Sequence, residues 1–132
     1  MVNDNLRQDY LWQQTCYEIF IGVHGEDFYR EINLSPSQAW QAYQFEEYRY
    51  PEDMPPQAAH DIELNQLKRT HYGLNVSLDL GIFMATHKLK WENMFVGLSA
   101  VLNTNQGEQY YAMQHSSPQA DFHNKRDWLH VF

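Results

Sequence analysis

Cys16-Tyr17-Glu18-Ile19-Phe20-Ile21, then Gly22 and Gly25, then Phe28-Tyr29-Arg30-Glu31-Ile32-Asn33-Leu34 is the stretch on which the fold turns. In the first segment Cys16, Glu18 and Phe20 alternate with Tyr17, Ile19 and Ile21, the period of a strand with one mixed and one apolar face. The glycines mark a turn. In the second segment Phe28, Arg30, Ile32 and Leu34 fall on one side and Tyr29, Glu31 and Asn33 on the other. Two alternating runs around a short turn predict an antiparallel hairpin, with Glu18, Glu31 and Asn33 on polar faces that neighbouring strands share.

Outward from this hairpin, Ser35-Pro36-Ser37 ends the second strand, because proline cannot donate to a ladder. The aromatic-rich run Trp40 to Tyr48 predicts a third strand, with a short helix opening at Ser37 as the competing reading. Pro51, Pro55 and Pro56 make residues 51–60 a loop. Asp61 to Lys68 reads as a strand or one helical turn. Val76 to Leu80 alternates as a strand, and Gly81 to Thr86 extends it or begins a bent segment. Met94 to Leu102 and Gln109 to Gln114 flank a turn-rich connector and predict a second hairpin. Asp127 to Phe132 alternates as a final strand. The pattern is all-β, or β-rich with a short helix. It implies an antiparallel immunoglobulin-like or jelly-roll-like β-sandwich, with a flexible stretch over residues 1–10 and one domain over 11–132.

With 132 residues, 43% of them apolar and 15% aromatic, the chain has enough apolar surface for one core. Nine Lys and Arg against 17 Asp and Glu give a formal charge of −8, which repels a phosphate backbone and excludes nucleic acid as the expected partner. Lys68 with Arg69, and Lys88 with Lys90, are too few for a basic stripe and fit solvated faces or turns. Cys16 is the single cysteine, the start carries no apolar leader, and no apolar run approaches the roughly 20 residues that span a bilayer. These features predict a cytoplasmic protein without a membrane segment.

Three blocks carry a resemblance: LWQQTCYEIFIG (11–22), YREINLSPSQAWQAYQFEEYR (29–49) and LSAVLNTNQGEQYYAMQHSSPQADFH (98–123). Their order, the TC-x-E strand, the N-x-SPS-x-x-W turn and the closing Asp121-Phe122-His123 resemble the bacterial DOMON-like family. That resemblance implies a β-sandwich similar to family-nine carbohydrate-binding modules, whose relatives bind sugars or haem. It implies the fold more firmly than a ligand. Two departures stand out. Family members usually have strands ahead of the LW-x-x-TC block, so an exposed sheet edge and a homo-oligomer formed through it are expected. Tyr111 replaces the family's usual tryptophan.

Four constellations are candidates for chemistry. Glu18, Glu31 and Asn33 present two carboxylates and an amide that suit sugar hydroxyls or Ca²⁺, against the plainer reading of a solvated face. Trp12, Trp40, Tyr43 and Tyr111 supply flat rings for pyranose faces, against simple core packing, for which Trp40 is the strongest candidate. His115 with Met113 invites haem ligation, but two residues on one strand do not reach opposite sides of one iron. In Asp121 and His123 an acid orients an imidazole, for binding, base work or anchoring of a loop. No nucleophile elbow, zinc-binding helix or phosphate loop accompanies them. The leading expectation is a non-catalytic module that binds a sugar across a face lined by Trp12, Glu18, Asn33, Tyr111 and His115. A protein-interaction domain and a haem-binding domain are the alternatives, and an enzyme would need a carboxylate pair such as Glu18 and Glu31 with one raised pKa.

Overall fold

The computed structural model describes residues 6–71, 73–104, 107–112 and 123, with the backbone alone over 103–104 and 107–112. The strands are β1 (Cys16–Val23), β2 (Tyr29–Leu34), β3 (Trp40–Phe45), β4 (Glu63–Thr70), β5 (Gly73–Asp79), β6 (Met94–Thr104) and β7 (Gly107–Ala112), with a helix α1 (Gly81–Thr86) between β5 and β6. A five-stranded antiparallel sheet runs in the order β3-β2-β1-β6-β7, and β4 and β5 form a separate antiparallel hairpin. Three successive strands with β6 returning beside the first form a Greek-key arrangement. The all-β reading with one short helix holds. The expected closing strand at 127–132 lies outside the described residues.

Alternation along β1 and β2 determines which layer packs where. Ile21, Val23, Ile32 and Leu34 face the β4–β5 hairpin and join Ile62, Leu64, Leu67, Leu80, Phe83, Met94 and Val96 in the main core. Gly25, at φ +83°, takes the left-handed conformation that the β1–β2 turn requires and that a side chain resists. Ser35 shapes the next turn: its hydroxyl accepts from the Ser37 N–H at 3.1 Å, and its backbone N–H donates to the Ala39 carbonyl at 2.9 Å. The competing helix at Ser37 therefore does not form.

Gly81 to Thr86 departs from an extended reading because Leu80, Phe83 and Met84 repeat at helical spacing, burying Leu80 and Phe83 and leaving Ile82 exposed. The Asp79 carboxylate accepts from the Gly81 N–H at 2.8 Å, and the Phe83 N–H donates to the Asp61 carbonyl at 3.1 Å, tying the helix to the start of the hairpin layer. Arg30, which alternation sends into this layer, donates through Nε and Nη2 to the two oxygens of Asp61 at 3.1 and 2.8 Å and lies 4.9 Å over the Phe83 ring. A buried guanidinium is tolerated here because it is paired.

The expected open edge is organised differently. β1 lies in the middle of the sheet, and the outer edge of β3 is closed by the chain itself. The Trp40 N–H donates to the Leu6 carbonyl at 3.1 Å, and the Gln8 N–H to the Trp40 carbonyl at 2.8 Å. On the same edge the Ala59 N–H donates to the Ala42 carbonyl at 2.7 Å and the Gln44 N–H to the Gln57 carbonyl at 2.8 Å. Arg7, inside the stretch expected to be flexible, is anchored: its guanidinium donates to the Gln41 side chain and to the Ala59 and Ile62 carbonyls, and it stacks 4.3 Å from the Trp40 ring. No described helix is long and apolar enough to cross a membrane.

Candidate functional site

The face of the sheet turned away from the hairpin layer carries the second set of alternating residues. Register places Glu18 opposite Asn33 on one side and Ser99 on the other, and Phe20 opposite Glu31. Asn33 and Glu31 in turn lie opposite Gln41 and Tyr43. Glu18, Glu31 and Asn33 are thus brought together, as the sequence predicts, but they are buried, at 6, 5 and 0% exposure, rather than solvated. Phe20, Tyr29, Tyr43 and Phe45 pack beside them as a second apolar cluster, with Trp12 and Phe95 at its margin.

His123 crosses this face. Its Nε2 is 3.0 Å from Glu31 Oε1, and its Nδ1 is 2.6 Å from the Tyr29 hydroxyl. The Tyr29 oxygen also accepts from the Arg49 N–H at 3.0 Å, so the hydroxyl links the imidazole to the backbone of Arg49 while the other ring nitrogen meets the carboxylate. Edge contacts with Phe20 at 5.0 Å and Phe45 at 5.1 Å hold the ring in place. Both ring nitrogens are engaged. Burial, reinforced by the nearby Glu31 charge, raises the Tyr29 hydroxyl well above its ordinary range, so it stays a neutral donor.

Glu18 has a different environment. Its Oε2 accepts from the Ser99 hydroxyl at 3.2 Å, a weak compensation for its burial. Desolvation first and the Glu31 charge second push its carboxyl up to about 8, so at neutral pH it carries a proton. Asn33, one residue across, has no hydrogen-bond partner for either amide atom among the described residues. A fully buried amide with two groups unused by the described residues can engage solvent or the hydroxyl of a ligand.

At the N-terminal end of the face the aromatic residues form a margin. Trp12 meets Tyr43 edge-on at 5.9 Å and Tyr10 at 5.1 Å, and Tyr10 is exposed. The Tyr43 hydroxyl donates to Asp9 at 2.9 Å. Trp40 does not belong here. It lies on the opposite face, 3% exposed in the main core, because its register partner is Leu34 and not Asn33. Tyr111 pairs with Ala100, in the cross-strand row of Tyr17 rather than of Glu18. His115, Met113 and Asp121 lie outside the described residues, and with them the proposed haem ligands. Cys16 is buried, and desolvation raises its thiol far above the ordinary range, leaving it unreactive.

No group of three or more His, Cys, Asp or Glu side chains that could hold a metal ion occurs among the described residues. The face instead alternates donors and acceptors: a carboxylic acid, an amide, and a carboxylate held by an imidazole. Tyr29, Ser99 and Arg49 are the parts that sequence reading missed. Alternation already puts Tyr29 beside Glu31, whereas Ser99 is hidden in a continuous apolar run. Comparison of the chain with family models, curated proteins and solved structures gives no match.

Replacing Asn33 with leucine, which keeps the branch at Cγ with methyl groups in place of the amide atoms, removes two buried polar groups that have no partner among the described residues. The variant should be more stable by about 2 kcal/mol in urea denaturation with an unchanged slope. A wild-type residue that lowers stability in this way is characteristic of a binding site.

Proposed function

We propose that this protein is a non-catalytic ligand-binding β-sandwich whose ligand is a sugar or cell-wall glycan seated on the Glu18–Glu31–Asn33 face. The observation that carries this reading is the fully buried Asn33 amide, without a partner among the described residues, beside a Glu18 whose carboxyl is raised by burial. A hydroxyl both donates and accepts, and a neighbouring acid, amide and carboxylate match that dual character better than a uniformly charged patch does. Trp12 and Tyr10, at the margin, supply ring faces for the apolar side of a pyranose. The three-block resemblance to DOMON-like proteins, whose relatives bind sugars or haem, is compatible with this reading and does not choose between those ligands.

One observation favours a second reading. A carboxyl raised by burial beside a second one engaged by an imidazole offers the unequal pair that glycoside hydrolysis uses, and Glu18 and Glu31 have those unequal environments. Calorimetry of the intact protein with soluble cell-wall oligosaccharides, followed by chromatography of the sugar, tests both. Saturable heat with the sugar recovered intact is expected. Shortened sugar would establish the hydrolase instead, and no heat with any oligosaccharide would remove the sugar reading.

A further inference from the structure

A cavity of about 370 Å³ opens at the other side of the sheet, where the start of β1, the β2–β3 turn and the end of the β4–β5 hairpin meet. Thr15, Tyr17, Pro36, Arg69, Thr70 and His71 line it, and no carboxylate does among the described residues. The lining therefore puts no negative charge against an anion, although the chain as a whole is acidic. Arg69 follows Leu67 by two positions on β4 and pairs with Leu74, so it stands on the side of the hairpin turned toward the sheet, beyond the end of the core. There it has no ion pair, ring contact or hydrogen bond among the described residues, whereas Arg30 and Arg7 are fully engaged.

We propose that this cavity is an oxyanion site that takes the phosphate group of a small phosphorylated molecule. The Arg69 guanidinium offers a planar fork of N–H donors to two phosphate oxygens, and Tyr17 lines the same space from β1. Thr70 Oγ1 donates to the Gly73 carbonyl at 3.2 Å, which braces the tight hairpin end on which Arg69 is mounted. The volume exceeds that of inorganic phosphate and falls in the range of small-ligand pockets, so the group carried by the phosphate is accommodated too. This site is separate from the Glu18–Glu31–Asn33 face and does not depend on what binds there.

The test is a titration of the full chain with ribose 5-phosphate and inorganic phosphate at constant ionic strength, with ribose and benzoate as the neutral and carboxylate arms, read by backbone amide shifts. Saturable shifts at Thr70, Gly73 and Leu74 are expected with ribose 5-phosphate, weaker ones with inorganic phosphate and none with ribose. Arg69→Gln should weaken the binding by about tenfold or more, and Arg69→Lys by less, since it keeps the charge but loses the fork. Arg69 is exposed, so both variants should keep the wild-type melting temperature. Absence of saturation, equal shifts with ribose, tighter binding of benzoate than of phosphate, or an undiminished response in Arg69→Gln would each overturn the assignment.

Discussion

Glu18→Gln should stabilise the protein by about 3 kcal/mol at pH 7 and flatten the dependence of its stability on pH. The folded state holds the Glu18 carboxyl at about 8, whereas its ordinary value is 4.5, because burial and then the Glu31 charge disfavour ionisation. An acid with a raised folded value binds its proton more tightly in the folded chain. Its contribution is full below 4.5, is lost as pH rises from there toward 8, and levels off above. Glutamine keeps an acceptor for the Ser99 hydroxyl and cannot ionise, so the loss disappears. Urea titrations at pH 5, 7 and 8.5 check this: wild-type stability should fall across the series, while that of Glu18→Gln should stay nearly level relative to it.

Asp61→Ala should lower stability by about 3 kcal/mol, because it leaves the Arg30 guanidinium on the Phe83 ring without its bidentate partner. Arg30 and Asp61 side chains are 8 and 18% exposed, so solvent makes up little of the loss. The double change Arg30→Met with Asp61→Leu should recover most of it, since the charge then leaves together with its partner. For the Asp61 carboxyl, desolvation pulls upward, but hydrogen bonds from Arg30 and its charge outweigh that and hold it below the ordinary 3.8. Its contribution is therefore full above 3.8 and is lost as pH falls through the lowered value. Taken with Glu18, the two groups are both fully favourable only in a narrow acid interval, and stability should peak at about pH 4 to 5.

Alternation made the central hairpin legible, since the same period that assigns Ile19 and Ile21 to the core assigns Glu18, Glu31 and Asn33 to one opposing face. It does not reveal that this face is also covered. His123, 90 residues beyond Asn33 in the chain, packs on Tyr29 and Glu31, and Trp12 on the neighbouring aromatic cluster, contacts no local pattern encodes. Trp40 shows the converse limit: an aromatic residue in a binding-like motif has the same appearance whether it faces a ligand or the core, and only the pairing with Leu34 decides. Gly81 to Thr86 is too short for periodicity to separate a bent strand from a helical turn before the packing of Phe83 is known. The edge of β3 is closed by Leu6, Gln8 and residues 57–59, polar or proline-flanked segments that read as loops.

The most direct measurement is a side-by-side calorimetric titration of wild-type protein and Asn33→Leu with the same soluble cell-wall oligosaccharide. If the buried amide serves a ligand, the wild type binds saturably, while Asn33→Leu, folded and more stable, loses the binding. Equal binding by the two proteins would place the sugar elsewhere. Binding by neither, with Asn33→Leu no more stable than the wild type, would contradict the reading of this face as a ligand site altogether.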